Sequence, residues 1–325
     1  MIKSRKREVL SSVFKIKVNA FEYKELYMNR HIIAILTAGS LWGTMGFFVN
    51  ILRGIGFSGT DVLLTRFMFC CIFFFVTILV KDPKLLKVRL RDLWCFFGGG
   101  VCSLLFFTYC YIMALEIIPT GSAAILLYLS PAFVMLMSII VFKEKVSLRK
   151  IAALILAFGG CVFVSGFIGS SHQLPVKGVV YGVLSAFGYG MYSIFARFAI
   201  DKDYDNNTIN LYTFLFAAAG AFIVSGGFRT IAVITSSAKS FFWAMGASAL
   251  ISYLPYRLYT YGLTRTEPGA ASIMASSEPV VATIIGIVAF DETVTPQVIL
   301  GIALVICAVI LLNYSPWKGS GKISN

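Results

Sequence analysis

Ten apolar stretches alternate with short polar connections from residue 31 to residue 314, at 31–52, 59–80, 93–115, 120–142, 148–168, 176–198, 207–228, 240–262, 268–290 and 296–314. About 20 apolar residues in a helix cross the roughly 30 Å hydrocarbon core of a bilayer, and each stretch is close to that length. In lipid the backbone must satisfy its own hydrogen bonds, so such stretches are helical. The pattern predicts an all-α integral membrane protein of ten transmembrane helices. No connection is long enough to hold an inserted soluble domain.

Two of these stretches are copies of one another. Glu116 to Glu144 and Glu267 to Glu292 carry the same pattern, and from Gly121 to Glu144 positions pair without a gap when 148 is added to the earlier number. Tyr111 then meets Tyr259, Gly121 meets Gly269, Pro131 meets Pro279 and Glu144 meets Glu292. Hydrophobic matches arise by chance in any pair of spans, but coincident Pro and Glu at a fixed offset do not. The chain therefore reads as two homologous halves, 31–168 and 176–314, between a basic segment at 1–30 and a flexible tail at 315–325. Each copy carries a proline in mid-span, which removes one N–H and frees a carbonyl a turn earlier. That carbonyl requires protein or water beside it, which makes Pro131 and Pro279 hinge candidates in a protein-lined interior.

Composition agrees: 58% of the 325 residues are hydrophobic and 13% are charged, against about a quarter charged in soluble domains. The net charge of +13 would suggest a nucleic-acid partner in a soluble chain; here it suits loops facing anionic lipid, and no nucleic-acid partner is expected. The cysteines at 70, 71, 95, 102, 110, 161 and 307 all lie within apolar stretches and read as small buried residues. With only His31 and His172 available, no metal site, cofactor or His-based catalytic centre is expected.

Lysine and arginine fix the orientation. With the N-terminus in the cytoplasm, the inside segments hold the basic tail, Lys81 to Arg91, Lys143 to Lys150, Arg197, Lys202, Arg265, Lys318 and Lys322. The outside loops then hold only Arg53, Lys177, Arg229 and Lys239. Both termini are thus expected inside a plasma or inner membrane. Two readings of residues 1–30 stand: a basic surface helix with Leu10, Phe14, Val18 and Phe21 on one face, or a chain whose translation starts at Met28. Five spans is an odd number, so the second half enters the membrane from the opposite side. Inverted repeats of this kind are a hallmark of secondary transporters, because two pseudo-symmetric halves can open a central site to either face.

Within this frame Glu278, in Ser276-Ser277-Glu278-Pro279, is the one acid deep in a span, and its repeat partner is Ser130. A charge at the bilayer centre costs at least a few kcal/mol, so Glu278 faces a cavity, pairs with a base or is protonated. It is a candidate for binding substrate or a driving proton, and a structural acid capping the backbone near Pro279 is the competing reading. Arg257 is the candidate counter-charge, with Tyr253, Tyr256 and Tyr259 beside it and Pro255 as a break point; snorkelling within an aromatic belt is its alternative. Ser277, Tyr111, Trp42 and Tyr189 complete the candidate lining, although packing alone also accounts for a ring beside small residues such as Gly39 and Gly43. Arg66 is expected to snorkel outward or to pair with Asp61.

Gly319-Ser320-Gly321-Lys322 fails the phosphate-loop pattern, and neither Gly-x-Ser-x-Gly nor His-Glu-x-x-His occurs. The chain resembles the drug/metabolite transporter superfamily, in particular its ten-helix EamA-type exporters. The resemblance rests on Leu41-Trp42-Gly43, Arg66-Phe67 and the paired Pro-centred spans ending at Phe142-Lys143-Glu144-Lys145 and Phe290-Asp291-Glu292-Thr293. It rests also on Phe158-Gly159-Gly160 and Leu300-Gly301-Ile302 in the last helix of each half. It implies a cavity between the halves, alternating access, and export of amino acids or other small metabolites or drugs, often coupled to protons. It also implies helix-end structural roles for Glu144 and Glu292. A non-transporting receptor lacks an output domain here, and an intramembrane enzyme lacks a nucleophile–base set.

Overall fold

The computed structural model describes residues 30–164, 174–290 and 294–313. The basic segment with its two alternative readings, Glu292 and the C-terminal tail lie outside the described residues. Among the described residues the chain is helical, with turns and no strand.

The helices are α1 (Arg30–Gly54), α2 (Gly59–Lys81), α3 (Leu90–Leu115), α4 (Thr120–Phe142), α5 (Leu148–Val164), α6 (Val176–Ile200), α7 (Asn206–Ser225), α8 (Gly227–Thr235), α9 (238–263), α10 (268–290) and α11 (Pro296–Asn313). Seven of them, α1 to α4, α6, α7 and α10, are long and apolar enough to cross a membrane. Helix α5 is 17 residues long, and α9 mixes tyrosines and Arg257 into its apolar run. Helix α8, which the hydropathy pattern does not separate from its neighbours, follows α7 after Gly226. At φ +66° Gly226 takes the left-handed conformation that ends helices.

Helices α4 and α10 are each broken once. Helix α4 runs as Thr120–Leu127 and Ser130–Phe142, and α10 as Pro268–Ala275 and Glu278–Phe290. Every boundary in the second follows its counterpart by 148 residues, so the repeat seen in the letters is present in the backbone. Pro131 and Pro279 occupy the first turn of the second segments, where a missing N–H costs nothing because it has no partner inside the helix. Pro255 behaves differently from expectation. Helix α9 does not break there; it widens into a π-helical turn over Ala249–Tyr253 and resumes at Leu254. A π turn absorbs the clash that proline imposes on the preceding turn.

Helices α5 and α11 pack along one another through small residues. A Cβ on Gly160 would stand 2.7 Å from the Gly301 carbonyl oxygen, and one on Gly301 the same distance from that of Gly160. Ala153 and Ala308, the repeat counterparts of Gly301 and Gly160, are fully buried in one cluster nearby. The crossing therefore maps onto itself when the halves are exchanged.

Helix α1 approaches α10 just as closely. A Cβ on Gly43 would lie 2.6 Å from the Glu278 carbonyl oxygen and 2.7 Å from Val281 Cβ, whereas one on Gly46 meets nothing within 4 Å. Overpacking against backbone costs about 1–3 kcal/mol or more. Gly43→Val is therefore expected to lower the unfolding midpoint of the purified protein by several degrees, and Gly46→Val to leave it near wild type. Equal midpoints for the two variants would contradict this packing.

The ends of the bundle differ. At the basic end, where α1 begins, polar contacts join one helix to another. Buried Asp92 accepts from Lys202 at 2.6 Å, Arg89 at 2.6 Å and the Tyr204 hydroxyl at 2.9 Å. Lys81 pairs with Asp205 at 2.6 Å, and Lys150 bridges Glu144 and Glu267. One continuous apolar cluster, from Ile35 through Phe74 and Phe214 to Leu263, lies against that end. At the opposite end the apolar contacts split into two clusters. One, around Leu52, Phe57 and Ala247, joins α1, α2, α8 and α9; the other, around Ala114, Ile118 and Ala123, belongs to α3, α4 and the start of α6.

Candidate functional site

The break in α10 places Glu278 at the start of a helical segment, midway along the bundle. Its carboxylate accepts from the Tyr189 hydroxyl at 3.4 Å, across from α6. Tyr111 and Tyr128 stand close enough to interact with its charge. Tyr189 in turn packs on Phe107, ring centres 5.0 Å apart, and meets Trp42 edge-on at 6.2 Å. A hydroxyl held by this ring cage thus points at the acid from another helix of the same half.

A small cavity lies between the halves, its walls including Trp42, Ser130, Tyr189, Tyr192, Tyr256 and Tyr259. Trp42 is buried against Tyr256 and Tyr259, with ring centres 5.1 and 5.4 Å away. The cavity floor is polar yet satisfied: the Tyr192 hydroxyl donates to Asn210 Oδ1 at 2.7 Å and meets Thr260 Oγ1 at 2.7 Å. Tyr259 meets Ser193 Oγ at 2.8 Å. Buried hydroxyls and amides saturated by one another hold ring positions fixed without tying up the Glu278 carboxylate.

Of the sequence candidates, Trp42, Tyr189, Tyr256, Tyr259 and Ser130 converge on this cavity, and Tyr111 is within electrostatic reach of Glu278. Three candidates lie elsewhere. Arg257 is not the counter-charge of Glu278: it is exposed and donates to the Tyr253 hydroxyl at 3.0 Å. Tyr253 packs outward on Phe73 and Phe74 and meets Thr77 at 2.8 Å. Ser277 sits against α1, its hydroxyl donating to the Leu36 carbonyl at 3.4 Å.

Arg66 also departs from expectation. It neither snorkels nor pairs with Asp61. Its side chain is buried, and its Nε donates to Ser252 Oγ, in the π turn of α9, at 2.7 Å. Asp61 instead closes the N-terminal cap of α2 with Ser58 and accepts from Thr230 at 2.7 Å, with Arg229 at 3.7 Å. Arg66 is thus a buried cation where sequence reasoning expected one at the surface or paired with Asp61. The signal was its distance from the nearest interface, seven residues into a span. Tyr192 and Ser193 were missed although they follow Tyr189 by one helical turn, the spacing that puts them on its face.

The model of the EamA-like transporter family matches the chain twice, over residues 29–166 and 176–314. An uncharacterized transporter of Archaeoglobus fulgidus is 25% identical over 281 residues, spanning 86% of this chain and 94% of that protein. GDP-fucose transporter 1 of Dictyostelium discoideum is 26% identical over 201 residues, which covers 60% of this chain and 53% of that one. A solved crystal structure superposes with a TM-score of 0.72 at 16% identity, over 87% of this chain and 96% of its own, and so shares the fold.

Proposed function

The chain belongs to the EamA-like transporter family, and from that premise we propose that it is a secondary active exporter of amino acids or other small polar metabolites. In this reading ten helices, α1 to α7 and α9 to α11, cross a plasma or inner membrane as two inverted five-helix halves. Both termini and the basic end face the cytoplasm. Glu278 exchanges a proton as solute moves, and the breaks at Pro131 and Pro279 are where α4 and α10 bend.

One observation carries this reading: the two halves are matched in backbone and mismatched in closure. At the basic end Pro268–Ala275 of α10 packs on Ser130–Phe142 of α4. Exchanging the halves maps that contact onto Glu278–Phe290 against Thr120–Leu127. Among the described residues those two segments have no comparable packing. A symmetric scaffold held in one asymmetric closure is what a protein with two alternative openings presents. A receptor needs no such symmetry.

Counterflow tests it. Proteoliposomes preloaded with unlabelled solute should take up a labelled trace of the same solute transiently, above its equilibrium level, and empty liposomes should not. A panel of amino acids and sugars is the first probe set. Uptake no greater than in empty liposomes for every class would contradict the transport reading.

A further inference from the structure

Arg66 raises a question that packing alone does not answer. It is only 7% exposed, on the half of α2 nearer the end opposite the basic one. A guanidinium has five N–H donors. Here Nε is fixed by Ser252 at 2.7 Å and one Nη1 hydrogen reaches the Met45 sulfur at 3.5 Å, a weak acceptor. Both are side contacts that orient the fork and leave its remaining donors without a protein partner among the described residues. No carboxylate stands within 4.0 Å of it among those residues; the ion pairs there use other arginines and lysines.

Glu278 is the complementary case. It too stands in the interior, with one long hydrogen bond from Tyr189 and no ion pair among the described residues. The two charges are within electrostatic reach of each other, with Tyr189 and Tyr256 within reach of both. They are nevertheless kept apart. Two opposite charges in a low-dielectric region attract strongly, and collapse into contact would be the cheap solution for an empty structural pair. Ser252 holds Arg66 on α9 and the α10 break holds Glu278, so the gap is built by two separate elements.

We propose that Arg66 and Glu278 are the two poles of the substrate site, and that the solute is a small zwitterion whose anionic group binds the Arg66 fork and whose cationic group binds Glu278. The inference rests on the transport reading and narrows it to a substrate class. Arginine suits a carboxylate or a phosphonate because its planar fork matches two oxygens at once. The rings of Tyr189, Tyr256 and Trp42 beside the poles favour a flat or apolar side group on the solute.

The test is binding to the full-length protein by four probes sharing one ring: phenylalanine, phenethylamine without the carboxylate, 3-phenylpropionate without the amine, and the aminophosphonate analogue. Wild type should bind phenylalanine about tenfold or more tightly than either single-charge probe, the scale of a charged hydrogen-bonded contact. Arg66→Gln should bind phenylalanine and phenethylamine alike; Glu278→Gln should bind phenylalanine and 3-phenylpropionate alike. The aminophosphonate tells the anion's source: binding at phenylalanine's level extends the class to phosphonates, and loss confines it to carboxylates, either result requiring Arg66. Should Arg66→Gln fail to fold, Arg66→Lys keeps the charge without the fork and should weaken phenylalanine but not phenethylamine. Discrimination between those two that survives in Arg66→Gln, or that is unchanged in Arg66→Lys, would overturn the assignment. Robust counterflow of neutral solutes alone would also overturn it while leaving transport intact; no counterflow by any solute would defeat the transport reading first.

Discussion

Glu278→Gln is expected to yield a folded protein that exchanges solute across the membrane but no longer concentrates it when a pH gradient is applied. Glutamine preserves the shape and can still meet the Tyr189 hydroxyl, whose present partner is the carboxylate at 3.4 Å. What it removes is the ability to hold or release a proton. An ionised carboxylate in the membrane interior costs at least a few kcal/mol unless it is compensated, so the acid has reason to alternate between proton and cationic solute as the site changes exposure. Exchange requires only that the loaded protein reorient; accumulation requires that the two occupants exclude one another. Wild-type uptake into proteoliposomes should therefore vary with the imposed gradient, and Glu278→Gln uptake should be flat across it at the equilibrium level. Saturating solute would offset the weaker binding of the variant. Accumulation equal to wild type, with the same dependence on the gradient, would make Glu278 a structural acid held by the backbone at the α10 break.

The repeat, the breaks and much of the ring cage were legible in the sequence because each rests on local chemistry. Pro131 and Pro279 mark the broken helices, since proline at those depths has few other comfortable positions. Gly39 and Gly43 signal close approach, and α1 does lie against α10 there. Glu278 stood out because an acid at mid-span is expensive. Facing was less legible. Arg257 and Arg66 both lie within spans, and only the rotation of α2 and α9 about their axes sends Arg257 outward and Arg66 inward. The partner of Arg66, Ser252, lies in the π turn before Leu254, and a 3.6-residue periodicity does not foresee a π turn. Helix α8 was hidden for a related reason: Gly226 turns the chain within a run that hydropathy treats as continuous.

The exchange of closures between the two halves carries the remaining and broadest expectation. The basic end is held by Lys150 between Glu144 and Glu267 and by the packing of Pro268–Ala275 on Ser130–Phe142, which in the proposed cycle is one of two closures. The alternative follows from adding or subtracting 148: Glu278–Phe290 should close on Thr120–Leu127 while the basic end opens. A closed interface of this kind is bistable, because partly separated packing loses contacts without gaining solvation. Each state then needs to lie within a few kcal/mol of the other for turnover to proceed.

Spin-label distances measured in lipid, with and without solute, test this most directly. One pair, at Val141 and Arg265, reports the basic end; its 148-residue image, at Ala289 and Ile117, reports the other. The account predicts a distribution with two distances for each pair, moving in opposite senses: as solute and pH shift the populations, the basic-end pair lengthens while its image shortens. Fixed distances at both pairs under conditions where counterflow proceeds, or movement of both pairs in the same sense, would contradict it.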